Sequence, residues 1–175
     1  MFGAASLHIH MNATLEDMGI DDIIDYVVAL GGVLVLRPQP GDGSPQIRWG
    51  DVFVYYAPDG VIPQTQPFAT IVTKDYPDEP ASGLDRPGVF RLNIAASRAE
   101  FAEVLGHDTR QLPKQSVDPS TPDVFFMHPV YGRAGWLAVV NPGDRTADTA
   151  RQLLNSAHQA ARRRFDDHRA RRGGE

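Results

Sequence analysis

Arg91 and Asn93 stand two residues apart in "VFRLNI" and share one face of a strand, because side chains alternate along an extended chain. A guanidinium and a carboxamide so placed can hold a carboxylate or a phosphate. The same pair also suits the solvated face of an antiparallel sheet whose other face carries helices. His128, in "MHPVYG", lies near a strand end, before a proline that restricts the chain. Its imidazole can act as a general base near neutrality, or its ring nitrogens can satisfy the backbone of the loop. Tyr131, three residues on, fits either role.

Lys74, Asp75 and Tyr76 in "TKDYP" put an ammonium, a carboxylate and a phenol at another strand end. That set offers acid–base chemistry, or only an exposed ion pair at a turn. Asp85 opens the turn "DRPG", where Pro87 and Gly88 suit the second and third positions of a type II turn and Asp85 can accept from its amides. Arg91, Asn93, Lys74 and Asp85 are therefore the candidate ligand-binding residues, and His128 and Tyr131 the candidate catalytic ones. An enzyme or small-molecule site requires Arg91, Asn93, His128 and Tyr131 to converge on one concavity.

Other chemistry is missing. There is no nucleophile elbow, no Walker loop and no His-Glu-x-x-His pair. "GDGSPQ" has two glycines at dinucleotide spacing but lacks the third and precedes a strand, so it is not a Rossmann turn. Cysteine is absent, which excludes disulfides, thiolate nucleophiles and cysteine-based metal sites. His8 and His10 form the one short histidine pair, with no thiolate or acidic partner close by in sequence, so no metal and no cofactor is expected. Trp49 and Trp136 read as packing anchors, with stacking on a ligand ring as the alternative.

These groups must be positioned by one domain, since 175 residues with 42% hydrophobic and 22% charged content describe an ordinary globular chain. The N-terminus lacks a signal-peptide pattern, and the longest apolar run, "VVALGGVLVL", cannot span a bilayer, so a cytoplasmic protein without membrane contact is expected. The net charge of −5 divides into +3 for residues 161–175 and −8 for the rest. An acidic body disfavours phosphate-backbone binding, and the arginine-rich end is the exception.

Apolar spacing predicts a helix at "IDDIIDYVVALGG", stopped by Gly31 and Gly32. Strands follow at "VLVLRP", "QIRWGDVFVYY" with an irregularity at Gly50, "PFATIVTKD" and "VFRLNI". "SRAEFAEVLG" is a short helix with capping-box spacing from Ser97 to Glu100. "DVFFMHPVY" and "GWLAVVNP" form a hairpin turning near Gly132 to Gly135. The last helix runs from Thr146 to about Phe165, capped by Thr146 or Asp144. The order α-β-β-β-β-α-β-β-α predicts a two-layer α+β domain, an antiparallel sheet with the helices on one face. Residues 18–165 form that domain; 1–17 are expected to be a disordered extension, with Met18 as an alternative start, and 166–175 a disordered arginine-rich tail.

Several blocks resemble the YjbR/MmcQ-like family of small bacterial proteins. They are "DIIDYVVAL", "QIRWGDVFVYYAPDG", "GVFRLNIAASRAEFAEVLG" and "HPVYGRAGWLAVVNPGDRTADTARQLLNSAHQAA". "FATIVTKDYP", "LDRPGVFRLNI" and "HPVYG" resemble an uncharacterised actinobacterial branch described as a domain of unknown function. The resemblance implies a double-wing or secretion-chaperone-like α/β fold, and a DNA-binding role that the acidic body weakens. Relative to the family's smaller members, "FATIVTKDYPDEPASGLDRPG" is an insertion that adds a strand. The function expected is a non-catalytic binding module that meets a protein, peptide or nucleic acid on its open sheet face. The alternatives are a small-molecule site or enzyme around Arg91, Asn93, His128 and Tyr131, and a weak DNA-binding protein.

Overall fold

The computed structural model describes residues 18–113 and 116–173, so the predicted extension over 1–17, with His8 and His10, lies outside the described residues. Helix α1 (Ile20–Ala29) buries Ile23 and Val27 and carries Asp21 and Asp22 in its first turn, where the helix dipole favours them. It ends at Gly31 and Gly32, with φ of +88° and +64°. A Cβ on Gly32 would also lie 2.7 Å from the Tyr56 ring, so only glycine fits this exit. The chain continues through β1 (Val33–Leu36), β2 (Val52–Tyr56), β3 (Ala69–Val72), β4 (Arg91–Ala95), α2 (Arg98–Leu105), β5 (Phe125–Met127), β6 (Trp136–Val140) and α3 (Ala147–Arg172). This is the predicted order. Every strand pairing is antiparallel, and the sheet runs β1-β2-β3-β4-β6-β5.

Alternation divides the sheet. Val54, Ile71, Leu92, Ile94, Leu137 and Val139 face the helices and form one core with Ile23, Phe101 and Leu154. The helices thus cover one face, as the pattern requires. Helix α2 begins with the predicted capping box: Glu100 N donates to Ser97 Oγ at 3.2 Å, and Ser97 N donates to Glu100 Oε2 at 2.9 Å.

Four boundaries depart from expectation. The long strand over "QIRWGDVFVYY" begins only at Val52, because Gln46–Arg48 form a 3-10 turn and Gly50 takes φ +87°. Strand β5 keeps three residues of the predicted nine. Asp123 at φ +58° bends the chain before it, and the loop hydrogen bonds of His128 end it. Helix α3 continues past Phe165 to Arg172, so residues 166–172 are helical where an irregular tail was expected. Arg169, Arg171 and Arg172 in its last turn complement the negative end of the dipole.

Thr146 is the N-cap residue of α3, one of the two expected, but its side chain makes no cap bond to the helix amides. Asp123, 20 or more residues earlier, accepts from Gly143 N at 2.8 Å, Arg145 N at 3.0 Å, Thr146 N at 3.0 Å and the Thr146 hydroxyl. Burial alone would raise the Asp123 pKa, but these donors outweigh it and hold the carboxyl below its ordinary value. The bond joins the start of β5 to the start of α3. Replacing Asp123 with Ala should therefore cost about 1–3 kcal/mol in urea unfolding, whereas Asp144→Ala should stay within about 0.5 kcal/mol.

Candidate functional site

The strand that buries Leu92 and Ile94 against the helices turns Arg91 and Asn93 to the other face. Register aligns Thr70, Asn93, Ala138 and Phe126 in one row across β3, β4, β6 and β5. This face is not the fully wet surface expected by default. Val72, Phe126, Ala138 and Val140 pack with Leu84, which the connection between β3 and β4 lays over them. Arg91 and Asn93 are 2% and 1% exposed.

A buried guanidinium must be paired, since removing a lone charge from water costs several kcal/mol. Arg91 donates to Glu79 Oε2 at 2.9 Å, Ser82 Oγ at 3.1 Å and Asn93 Oδ1 at 2.9 Å. Asn93 passes the chain on, donating to Thr70 Oγ1 at 3.0 Å. Glu79 had no signal in the sequence; it lies in a proline-bounded loop with no periodicity. The Arg86-Pro87-Gly88-Val89 turn has the predicted geometry, with Gly88 at φ +71° and Val89 N donating to Arg86 O at 3.2 Å.

The residues of "TKDYP" disperse. Lys74 pairs with Asp51 at 3.2 Å and not with Asp75. Asp51 is 0% exposed and also accepts from Thr73 N and Oγ1 and from the Tyr76 hydroxyl. Burial, reinforced by that bond, raises the Tyr76 pKa, so the phenol stays protonated. Asp75 serves the loop, accepting from Ser82 N at 2.8 Å and Leu84 N at 3.1 Å. Asp85, expected to brace its turn, is exposed, and none of the turn's amides donates to it. The carboxylate that does brace this connection is Asp75.

His128 is 4% exposed, and its Nδ1 accepts from Val130 N and Tyr131 N, each at 3.1 Å. An Nδ1 lone pair shared by two amides cannot hold a proton, so the neutral ring carries its hydrogen on Nε2. Burial, assisted by the Arg91 guanidinium, lowers the pKa to about 3. The ring therefore satisfies the loop and offers a donor; its basic nitrogen is already engaged.

Arg91, Asn93, His128 and Tyr131 all line one concavity of about 540 Å³. Phe53, Tyr55 and Trp136 add aromatic wall. Trp136 is half-buried there and not in the helix-side core. Trp49 stays outside the concavity, donating from Nε1 to Ser44 O at 3.2 Å. Arg48, which sequence reasoning passed over, stands exposed with its guanidinium 5.6 Å from the Phe53 ring centroid. Lys74 and Asp85 do not line the concavity; Asp85 borders a separate hollow beside Asp21 and Asp22. Among the described residues no group of three His, Cys, Asp or Glu is arranged to hold a metal ion, and no helix is long and apolar enough to cross a membrane.

A family model matches residues 18–171, which takes in the whole sheet, all three helices to within a residue, and the concavity. The chain belongs to DUF6194, a family of unknown function. No match was found among curated proteins or among solved structures. In this DUF6194 domain the site residues come from β4 and from the β5–β6 hairpin, neighbours through the pairing of β4 with β6.

The neutral state of His128 has a measurable consequence. The unfolded chain takes up a proton near pH 6.5, the folded one only near 3, so the unfolded state binds more protons in that window. Stability must fall as pH falls below 6.5. His128→Asn retains an acceptor for the two amides and removes the titration. Between pH 6.5 and 5 the wild type should lose about 1.5 kcal/mol more than this variant in denaturant unfolding. Parallel losses would contradict the assignment.

Proposed function

We propose that this domain binds a small organic ligand, without catalysis, on the sheet face that the helices leave free. The observation that carries the reading is the convergence of Arg91, Asn93, His128 and Tyr131 on one aromatic-walled concavity. The volume is in the range of small-molecule sites, and a polar floor with apolar walls is their usual composition. Binding is favoured over proton transfer because His128 Nδ1 and three donor atoms of Arg91 are committed to protein partners. A protein or peptide partner on the same face is the broader form of the reading. The YjbR/MmcQ-like relationship is likewise an inference, supported by the sequence blocks quoted above.

Anilinonaphthalene sulfonate, whose fluorescence rises in apolar sites, tests the reading on the full chain. In a Trp49→Phe background Trp136 is the sole tryptophan. The native protein should bind the dye saturably at one site, with energy transfer from Trp136, and Tyr131→Ala should weaken binding at least about fivefold. Dye uptake that is unsaturable, or indifferent to Tyr131→Ala, would remove the proposal.

A second reading, contact with nucleic acid, rests on Arg162, Arg163, Arg164, Arg169, Arg171 and Arg172, all exposed along the end of α3. Duplex binding by anisotropy should then fall steeply with salt and vanish on truncation after Ala161. Binding that ignores salt and truncation, or no binding at all, eliminates this reading.

A further inference from the structure

At the β5–β6 end of the concavity three rings meet. His128 lies 5.1 Å from Tyr131 and 6.4 Å from Trp136, centroid to centroid, and Tyr131 lies 6.4 Å from Trp136. Each carries a polar hydrogen: His128 on Nε2, Trp136 on Nε1, Tyr131 on its hydroxyl. No described protein group accepts from any of the three; the hydrogen bonds of His128 are the two received at Nδ1. Yet no buried side-chain nitrogen or oxygen among the described residues lacks a partner, so these donors keep some exposure, and all three residues line the concavity. His128 is more than nine-tenths buried and lines the concavity.

A cluster of rings is often a cage for a cation, but the polar hydrogens here oppose that occupant. Of the charges that line the concavity, Arg91 is paired with Glu79 at 2.9 Å, and Arg48 stands exposed at the opposite end with no carboxylate bonded to it among the described residues. The cavity end presents three donors and one acceptor, the Tyr131 oxygen. Its complement is a flat group bearing acceptor oxygens.

We infer that the ligand is a planar, conjugated carboxylic acid, with its ring against Trp136 and Tyr131 and its oxygens on the donors of His128 and Trp136. The inference rests on the reading of this concavity as a ligand site. A carboxylate strengthens each such hydrogen bond relative to a neutral acceptor. Arg48, over Phe53 of β2, lies three strand spacings from β6 and four from β5, about 14–19 Å across the sheet, so it makes no direct contact with the same oxygens.

Isothermal titration of the full chain with three naphthalenes tests it: a naphthoate and, at the same ring position, the carboxamide and the methylammonium. The naphthoate should bind about tenfold more tightly than the amide and more tightly still than the ammonium. An amide that equals the carboxylate overturns the acid; an ammonium that equals or exceeds it overturns acceptor recognition. Two variants locate the donors. His128→Asn keeps an acceptor for the Val130 and Tyr131 amides and loses the Nε2 hydrogen, and Trp136→Phe keeps a ring and loses the indole hydrogen. Each should weaken naphthoate about tenfold and leave methylnaphthalene within about twofold. Equal losses for both probes overturn the proposal, since a packing defect acts on both. If the dye of the preceding test binds and naphthoate shows no preference, the site stands and the ligand class falls. If no probe binds, both fall.

Discussion

The free face of the sheet is organised by one buried charge. Arg91 lies at the centre of the sheet with almost no contact with water, and an unpaired guanidinium there would cost several kcal/mol. Its partners Glu79 and Ser82 belong to the connection between β3 and β4, so that connection must lie over the sheet. Once it does, Leu84 packs on Val72, Ala138 and Val140, and Asp75 binds the loop's own amides. Tyr76 reaches Asp51 at the head of β2. The side of the concavity formed by Tyr76 and Glu79 belongs to the connection that Arg91 holds down.

The same economy of polar groups shapes the hairpin end. His128 gives its lone pair to two amides, which holds the loop to Tyr131 and leaves the ring neutral beside Arg91. A site assembled from groups already held by neighbours is rigid before a ligand arrives, so little ordering entropy remains to oppose binding. The basic nitrogen of His128 is engaged by two amides, whereas the donor hydrogens of His128, Trp136 and Tyr131 have no described acceptor.

The elements were legible in the sequence wherever local chemistry decides them. The Ser97–Glu100 box, the glycine exit from α1, the turn at Pro87 and Gly88, and the division of "RLNI" into two faces all depend on a few adjacent residues. The illegible parts join distant ones. Asp123 binds the turn that leads into a helix 20 or more residues ahead, Asp51 meets Lys74 and Tyr76 across a strand pair, and Glu79 meets Arg91 from inside a loop without pattern. Each is a single side chain whose partner is set by three-dimensional proximity, so no spacing rule could reveal it.

By itself the sequence determined the α+β class, the order of its elements and the residues on each side of β4, because hydrophobic periodicity and backbone preference act over short distances. Only the tertiary structure decided that Arg91, Asn93, His128 and Tyr131 share one concavity while Lys74 and Asp85 do not. That outcome depends on the pairing of β4 with β6, strands 41 residues apart from Ala95 to Trp136, and on a loop folded over a buried charge. Long-range pairing is chosen by the burial of the whole sheet, which no local segment contains.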